Sequence, residues 1–357
     1  MPFNPTYPYD LNLLPPEVKF SDEKITKLLL KASRELAELK GYSSSIPNLV
    51  LLLSPAIIKE SLASSEIENI NTTIVNVLQN QLFPEAEQRT PDKEVLNYRD
   101  AVIEGFESVR KFALSTRTIT QIHHVLMPDI SADYRTIQNG IKNTKTNQII
   151  YTPPAITKLE ELMSNLEVFM NNKGEEIDPL IRCAILHYQF EAIHPFGDGN
   201  GRTGRILMVL YLAHVRILSH PILYISGYIN ANKSEYYRLL LEVTTKKNWN
   251  EYIAFMLQGF YLQAKETKEL LLKIRQSYTK LRDQLRINHK AYASELADTL
   301  CSYPFITPAK LSQKLSIHRD TAGRYLSELA KKGILVETRV GKYHLFAYKE
   351  LLDILNK

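Results

Sequence analysis

Hydrophobic residues in this chain recur mainly three and four apart, the period of amphipathic helices, and two stretches depart from that rhythm toward strands. The pattern predicts a helix from Ser21 to Leu39, with Ser21 as N-cap and Asp22 and Glu23 in the first turn. A second helix is predicted from Ser54-Pro55, a cap followed by proline, through Ile57, Ile58, Leu62 and Ile67 toward Asn69. Thr90-Pro91-Asp92 opens a third, carrying Val95, Tyr98, Val102, Phe106 and Val109. Residues 135–151 predict a two-stranded ribbon with a polar turn near 143–147, ended by Thr152-Pro153-Pro154. Helices follow over 156–169, from the Asp178-Pro179 cap, over 202–215, from Tyr236-Tyr237, and over 249–260. From Lys265 to Asn288 the chain is charged and helical, with Leu271, Ile274, Tyr278, Leu281 and Leu285 forming a seam. The seam is short, which favours packing on a neighbouring domain over a coiled coil. The last segment reads as helix 307–315, turn 316–321, helix 322–332 ended by Gly333, and a hairpin.

Composition narrows the picture. The 357 residues are 44% hydrophobic and 23% charged, ordinary for a globular protein with room for two or three domains. No apolar run approaches the ~18 residues of a membrane span. The opening residues lack a basic and then apolar leader pattern, so no signal peptide is expected. Cys183 and Cys301 lie far apart in apolar helical patterns and predict buried thiols in a reducing, cytoplasmic compartment. The formal charge is +5, and residues 305–357 hold 10 Lys/Arg against 5 Asp/Glu, leaving 34 of each elsewhere. Any polyanion partner therefore belongs to that segment. Its pattern resembles a winged helix-turn-helix domain, with Arg319, Arg324, Lys331 and Lys332 on or beside the second helix and Lys342 in the wing. DNA is one partner such a module takes; protein docking is another.

The chemistry concentrates in His194-Pro-Phe-Gly-Asp-Gly-Asn-Gly-Arg-Thr-Gly-Arg205. Its glycines allow main-chain conformations closed to other residues, and the loop opens into a helix N-terminus, where N–H groups and the dipole attract anions. Arg202 and Arg205 add charge-assisted bonds for phosphate oxygens. Asp198 is the loop's one carboxylate and suits magnesium shared with phosphates. His194 is the natural general base. A P-loop is excluded: Arg205 stands where lysine is needed, Ile206 where serine or threonine is, and no strand precedes the loop. A purely structural glycine turn would not gather two arginines, a carboxylate and a histidine. The other histidines, His123, His124 and His187, suit core or surface roles better than metal ligation.

These residues match HPFx(D/E)GNGRxxR, and the chain thereby resembles the Fic-domain proteins over about residues 50–265. The resemblance implies a mainly α protein: a Fic-type helical core with a small β-hairpin flap, followed here by the winged helix-turn-helix segment. It implies transfer of AMP from ATP to a Ser, Thr or Tyr hydroxyl of a target protein. His194 would deprotonate the hydroxyl, Phe196 would pack the loop into the core, and Asp198 would hold magnesium. Gly199, Asn200 and Gly201 would cradle phosphates and Arg202 would bind them, with Thr203 and Gly204 in the same nucleotide site. Arg205 would take the γ-phosphate and Tyr236 would lie near the adenine. The ribbon, at Ile149, Ile150 and Tyr151, would hold a target segment by strand addition.

Ser64-Ser-Glu-Ile-Glu68-Asn69 resembles the family's inhibitory motif (S/T)xxxE(G/N). The resemblance implies that Glu68 pairs with Arg205 and obstructs the γ-phosphate, or, in another family activity, orients water to remove AMP from a modified target. A third expectation is a DNA-binding regulator that carries a Fic domain, and a fourth is transfer of a different group. The expected divisions are 1–88 with the inhibitory helix, the core at 89–265, a helical linker at 266–300 and the winged helix at 301–357. Self-modification and homodimerisation complete the expected partnerships.

Overall fold

A computed structural model describes all residues except 1–2, 21, 45–48, 132, 144–145, 173, 175–176, 289–291 and 357. In chain order the helices are α1 (Glu23–Ser44), α2 (Leu49–Ile67), α3 (Ile74–Asn80), α4 (Thr90–Lys111), α5 (Thr116–Leu126), α6 (Leu159–Asn171), α7 (Pro179–Ile193), α8 (Asn200–His214), α9 (Ile225–Ala231), α10 (Lys233–Lys246), α11 (Trp249–Asn288), α12 (Ala293–Ser302), α13 (Pro308–Leu315), α14 (Arg319–Lys331) and α15 (Lys349–Leu355). The strands are β1 (Ile141–Lys142), β2 (Ile149–Tyr151), β3 (Phe305–Ile306), β4 (Val336–Val340) and β5 (Tyr343–Ala347). The fold is mainly α, as expected.

The chain forms two compact units, Met1–Lys40 with Asn97–Lys265, and Gly41–Leu96 with Glu266–Lys357. In the first, α7 and α8 are a central antiparallel pair, buried along nearly their whole lengths. Helices α5, α6 and α9 pack around them. Asp178 starts α7, its carboxylate accepting from Leu180 N at 2.8 Å ahead of Pro179 at the first helical position. Strands β1 and β2 pair antiparallel, Ile141 opposite Tyr151 and Lys142 opposite Ile149, so Ile150 is a bulge. Part of the expected polar turn, residues 144–145, lies outside the described residues. The N-terminal segment is tied to the ribbon's end: Tyr9 N donates to Thr152 O at 3.0 Å, and the Thr152 hydroxyl donates to Pro5 O at 2.6 Å.

In the second unit α2 is a core helix, with Ala56, Ile57, Ile58, Ala63, Ser64, Ser65 and Ile67 all buried. Helices α3, α12 and α15 pack on it. The remaining order is helix α12, strand β3, helices α13 and α14, then the β4–β5 hairpin, in a sheet of order β3-β5-β4. The hairpin tip is held down: Lys342 pairs with Glu87 at 2.8 Å, the Tyr343 hydroxyl donates to the same carboxylate at 2.9 Å, and Tyr343 stacks on Phe83 with centroids 4.4 Å apart.

Several boundaries differ from the pattern-based expectation. Ser21 lies outside the described residues; the Asp22 carboxylate accepts from Lys24 N at the start of α1, doing a cap's work. Helix α2 begins at Leu49, so Pro55 falls inside it, because the apolar run ahead of the proline continues the helix. Residues 249–260 and 265–288 are one helix of 40 residues, since no glycine or proline interrupts the turn between them. Its seam residues Leu271, Ile274, Leu281 and Leu285 are buried within this chain. Helices α3, α9, α12 and α15 and strand β3 lie outside the elements that the pattern predicts.

Candidate active site

The site is built where α7 hands over to α8. Helix α7 ends at His194, whose backbone is left-handed at φ 51°, ψ 58° and whose N–H still closes the last turn on Phe190 O. A non-glycine residue held there is strained, and such strain collects at functional sites. Phe196 is fully buried, which turns the loop back onto the core. The Asn200 amide is clamped at both ends, accepting from Phe196 N and donating to Phe196 O, each at 2.9 Å. Its side chain therefore shapes the loop, leaving main chain for a ligand.

Gly199 precedes α8 at φ 75°, and a Cβ there would meet Met127 Cγ at 2.9 Å. Both facts demand glycine. Gly199, the N-cap residue of α8, has no side chain to cap it. An uncapped first turn leaves main-chain donors directed at a ligand, which suits an anion. Asp198 stands exposed in front of it, with Oδ1 accepting from Gly199 N at 2.6 Å. Thr203 is buried and its hydroxyl donates to Gly199 O at 2.9 Å, tightening the first turn. Arg202 sits beside Met127, its Nη2 3.1 Å from Sδ. Arg205 is only 1% exposed. Gly204 is a packing glycine: a Cβ would lie 2.5 Å from Glu191 Oε1 and 3.0 Å from Phe190 Cδ1 on α7.

Behind Arg205 lies His187, fully buried and 2.8 Å by Nε2 from the Tyr236 hydroxyl. Burial, and then the Arg205 charge, push the imidazole pKa down to about 3. It is a neutral core histidine. Tyr236 is itself only 1% exposed.

Two residues bear on the loop without having been foreseen as doing so. His123, on α5, stacks on Phe196 with centroids 3.8 Å apart at 11°, and its Nε2 is 2.9 Å from Asp198 O. Burial lowers its pKa and keeps it neutral. It interrupts the buried stripe of Ile119, Ile122 and Leu126, the one sequence signal for it. Arg135, from the segment before the ribbon, reaches the loop's backbone. In the ribbon, Tyr151 is buried and donates its hydroxyl to Ala192 O at 2.8 Å, whereas Ile150 is 38% exposed.

The inhibitory-motif residues fall in the second unit. Ser64 is buried, α2 ends at Ile67, and Glu68 follows as an exposed residue. Asn69 is left-handed at φ 63°, with Ile70 N closing back on Ser65 O at 3.1 Å. Only glycine or asparagine takes that conformation readily, which is the physical content of the motif's last position.

One carboxylate beside an uncapped helix N-terminus fits magnesium that takes its other ligands from phosphates and water. Among the described residues, no group of three or more His, Cys, Asp or Glu could hold a metal unaided. No described helix is long and apolar enough to cross a membrane.

Helical core, loop and ribbon together define a Fic-domain protein. Residues 113–212 match the Fic/DOC family, 26–107 the Fic/DOC family N-terminal region, and 274–351 the C-terminal domain of SoFic-like protein adenylyltransferases. The protein adenylyltransferase Fic of Nematostella vectensis is 29% identical over 133 residues, 35% of this chain and 30% of that protein. Protein adenylyltransferase fic-1 of Caenorhabditis briggsae is 26% identical over 34% of this chain and 25% of its own length. The chain thus spans about a quarter to a third of these relatives. A Fic family protein from Desulfovibrio desulfuricans shares the fold with a TM-score of 0.60 at 21% identity, over 94% of this chain and 98% of that one. Fic-1 of Caenorhabditis elegans aligns with a TM-score of 0.53 at 19% identity, over 68% and 72%.

Proposed function

We propose that this chain is a protein adenylyltransferase that moves AMP from ATP to a hydroxyl of a target protein. The observation that carries this reading is the N-terminus of α8, opened by Gly199, which has no side chain to cap it, with Asp198 exposed before it, Arg202 and Arg205 in its first two turns and His194 at the start of the loop. The triphosphate lies on that turn, held by the main chain of 199–201 and by Arg202, with its γ-phosphate at Arg205. Asp198 would hold magnesium, which when bound neutralises charge on the α- and β-phosphates. His194 takes the hydroxyl proton as the target oxygen attacks the α-phosphorus. The bond from that phosphorus to the α–β bridging oxygen breaks, and pyrophosphate leaves. The packing of Tyr236 supports a place behind Arg205, through His187, more than direct stacking on adenine.

On this reading Glu68 is the brake: its carboxylate would compete with the γ-phosphate for the Arg205 guanidinium and repel that phosphate. By role, we assign catalysis to 89–265, inhibition to 1–88, a linker to 266–300 and docking to 301–357. The α12–β3–α13–α14–hairpin order supports a winged helix in the last segment. Its wing Lys342 and Tyr343 are already engaged by Glu87 and Phe83, which favours protein docking over a groove-binding role.

The test is incorporation of label from α-labelled ATP with magnesium. Glu68→Gly is expected to label protein well above wild type, and adding His194→Ala to abolish it. Equal labelling by wild type and Glu68→Gly would remove the brake, and labelling that survives His194→Ala would remove the base.

A further inference from the structure

Arg135 is 94% buried yet belongs to no helix or strand, and its side chain reaches the loop, the end of the ribbon and Gln138. Its Nε donates to His194 O at 3.0 Å and its Nη2 to Pro154 O at 2.5 Å. Its own N–H donates to Pro195 O at 2.7 Å. Gln138, 3.5 Å from Nη1, donates in turn to Pro153 O at 2.9 Å. One guanidinium thus ties the carbonyl of the left-handed His194 to the Pro153-Pro154 pair just after β2.

We propose that Arg135 is a positioning residue that fixes the general base and the target-holding ribbon to a common reference, so that the target hydroxyl meets His194 in register. This rests on the adenylyltransferase reading. The physical reason lies in the fork. Guanidinium N–H bonds leave a rigid plane in fixed directions, so two carbonyls bound to one such group cannot drift independently. A lysine ammonium is a point donor on a flexible stem and would hold one carbonyl or the other. Transfer to a protein needs the base on the loop and the hydroxyl on the ribbon to be aligned together. Nucleotide binding needs only the loop. Arg135 bonds backbone carbonyls, so its loss acts through geometry, and a displacement of about 1 Å costs on the order of 10²-fold in rate.

The experiment compares Glu68→Gly with Glu68→Gly/Arg135→Lys and Glu68→Gly/Gln138→Ala, measuring kcat and KM for labelling a protein acceptor and, separately, ATP affinity by equilibrium binding. Arg135→Lys is expected to lower kcat about 10²-fold with ATP affinity unchanged. Gln138→Ala, an exposed residue that braces only the ribbon side, is expected to lower it less. Added guanidinium is expected to restore part of the rate to Arg135→Ala. Unchanged kcat in both the Lys and the Gln138→Ala variants would overturn the proposal, as would a loss of ATP affinity that alone accounts for the rate. If the lysine variant fails to fold, the Gln138→Ala result decides. If Glu68→Gly itself labels nothing, the adenylyltransferase reading has failed and not the placement of Arg135.

Discussion

His194 and Asn69 both stand at the end of a helix with left-handed backbones, and for opposite reasons. Asparagine tolerates that conformation; histidine takes it at a cost of about 1–2 kcal/mol. His194→Gly relieves the strain and His194→Ala does not. Glycine at 194 is therefore expected to be more stable than alanine by about 1 kcal/mol in urea unfolding, although neither transfers AMP. A midpoint for the glycine variant at or below that of the alanine variant would show that the backbone is not strained. Residue identity made much of this site legible. Histidine, the loop carboxylate, the two arginines and Gly199 announce their chemistry by type and spacing. His123 and Arg135 did not, because each acts on backbone atoms brought close only by the fold. Asn200 was legible as a loop residue, but its clamp on Phe196 depends on the loop's path.

Helices α7 and α8 approach closely because Gly204 presents no Cβ toward Glu191 and Phe190. Gly204→Ala is expected to destabilise by about 1–3 kcal/mol through overpacking. Gly197, in the same loop, has nothing within 4 Å of a built Cβ, and Gly197→Ala is expected to leave the thermal midpoint close to wild type. Equal effects at the two positions would mean that the helix pair is not the source of the cost. The longer helices were readable from periodicity, whereas α3, α9, α12 and α15, of ten residues or fewer, are too short to show a clear period. Boundaries were not readable, for reasons visible in particular places. Pro55 looked like a start because proline favours the first turn, yet the apolar residues before it extend the helix. The 249–288 stretch looked like two helices because its character changes from apolar to charged while its backbone does not. The Asp178-Pro179 start was legible because both cap and proline act locally.

At the scale of the molecule, all three chain crossings between the units fall inside helices: Lys40/Gly41 in α1, Leu96/Asn97 in α4 and Lys265/Glu266 in α11. The second unit joins the inhibitory-motif helix to the C-terminal segment, with α12 and α15 against α2. The hairpin tip adds the Tyr343–Phe83 stack, a kind of contact that contributes about 0.5–1.5 kcal/mol beyond area. Tyr343→Ala is expected to speed hydrogen exchange of α2 amides while leaving α7 amides protected. Faster exchange in α7 but not α2 would contradict that division.

The second unit is discontinuous in sequence, and this has a consequence for synthesis. Residues 41–96 emerge early, but the segment that covers α2 begins about 170 residues later. At ~5–20 residues per second, the ribosome takes roughly ten to thirty seconds to reach it. Over the last part of that interval, the 60 or so residues between Arg205 and Glu266, the nascent chain carries the whole Fic loop before the inhibitory-motif helix has acquired its C-terminal partners. Under the proposed brake, order of birth as well as sequence governs when the Fic loop first meets its restraint.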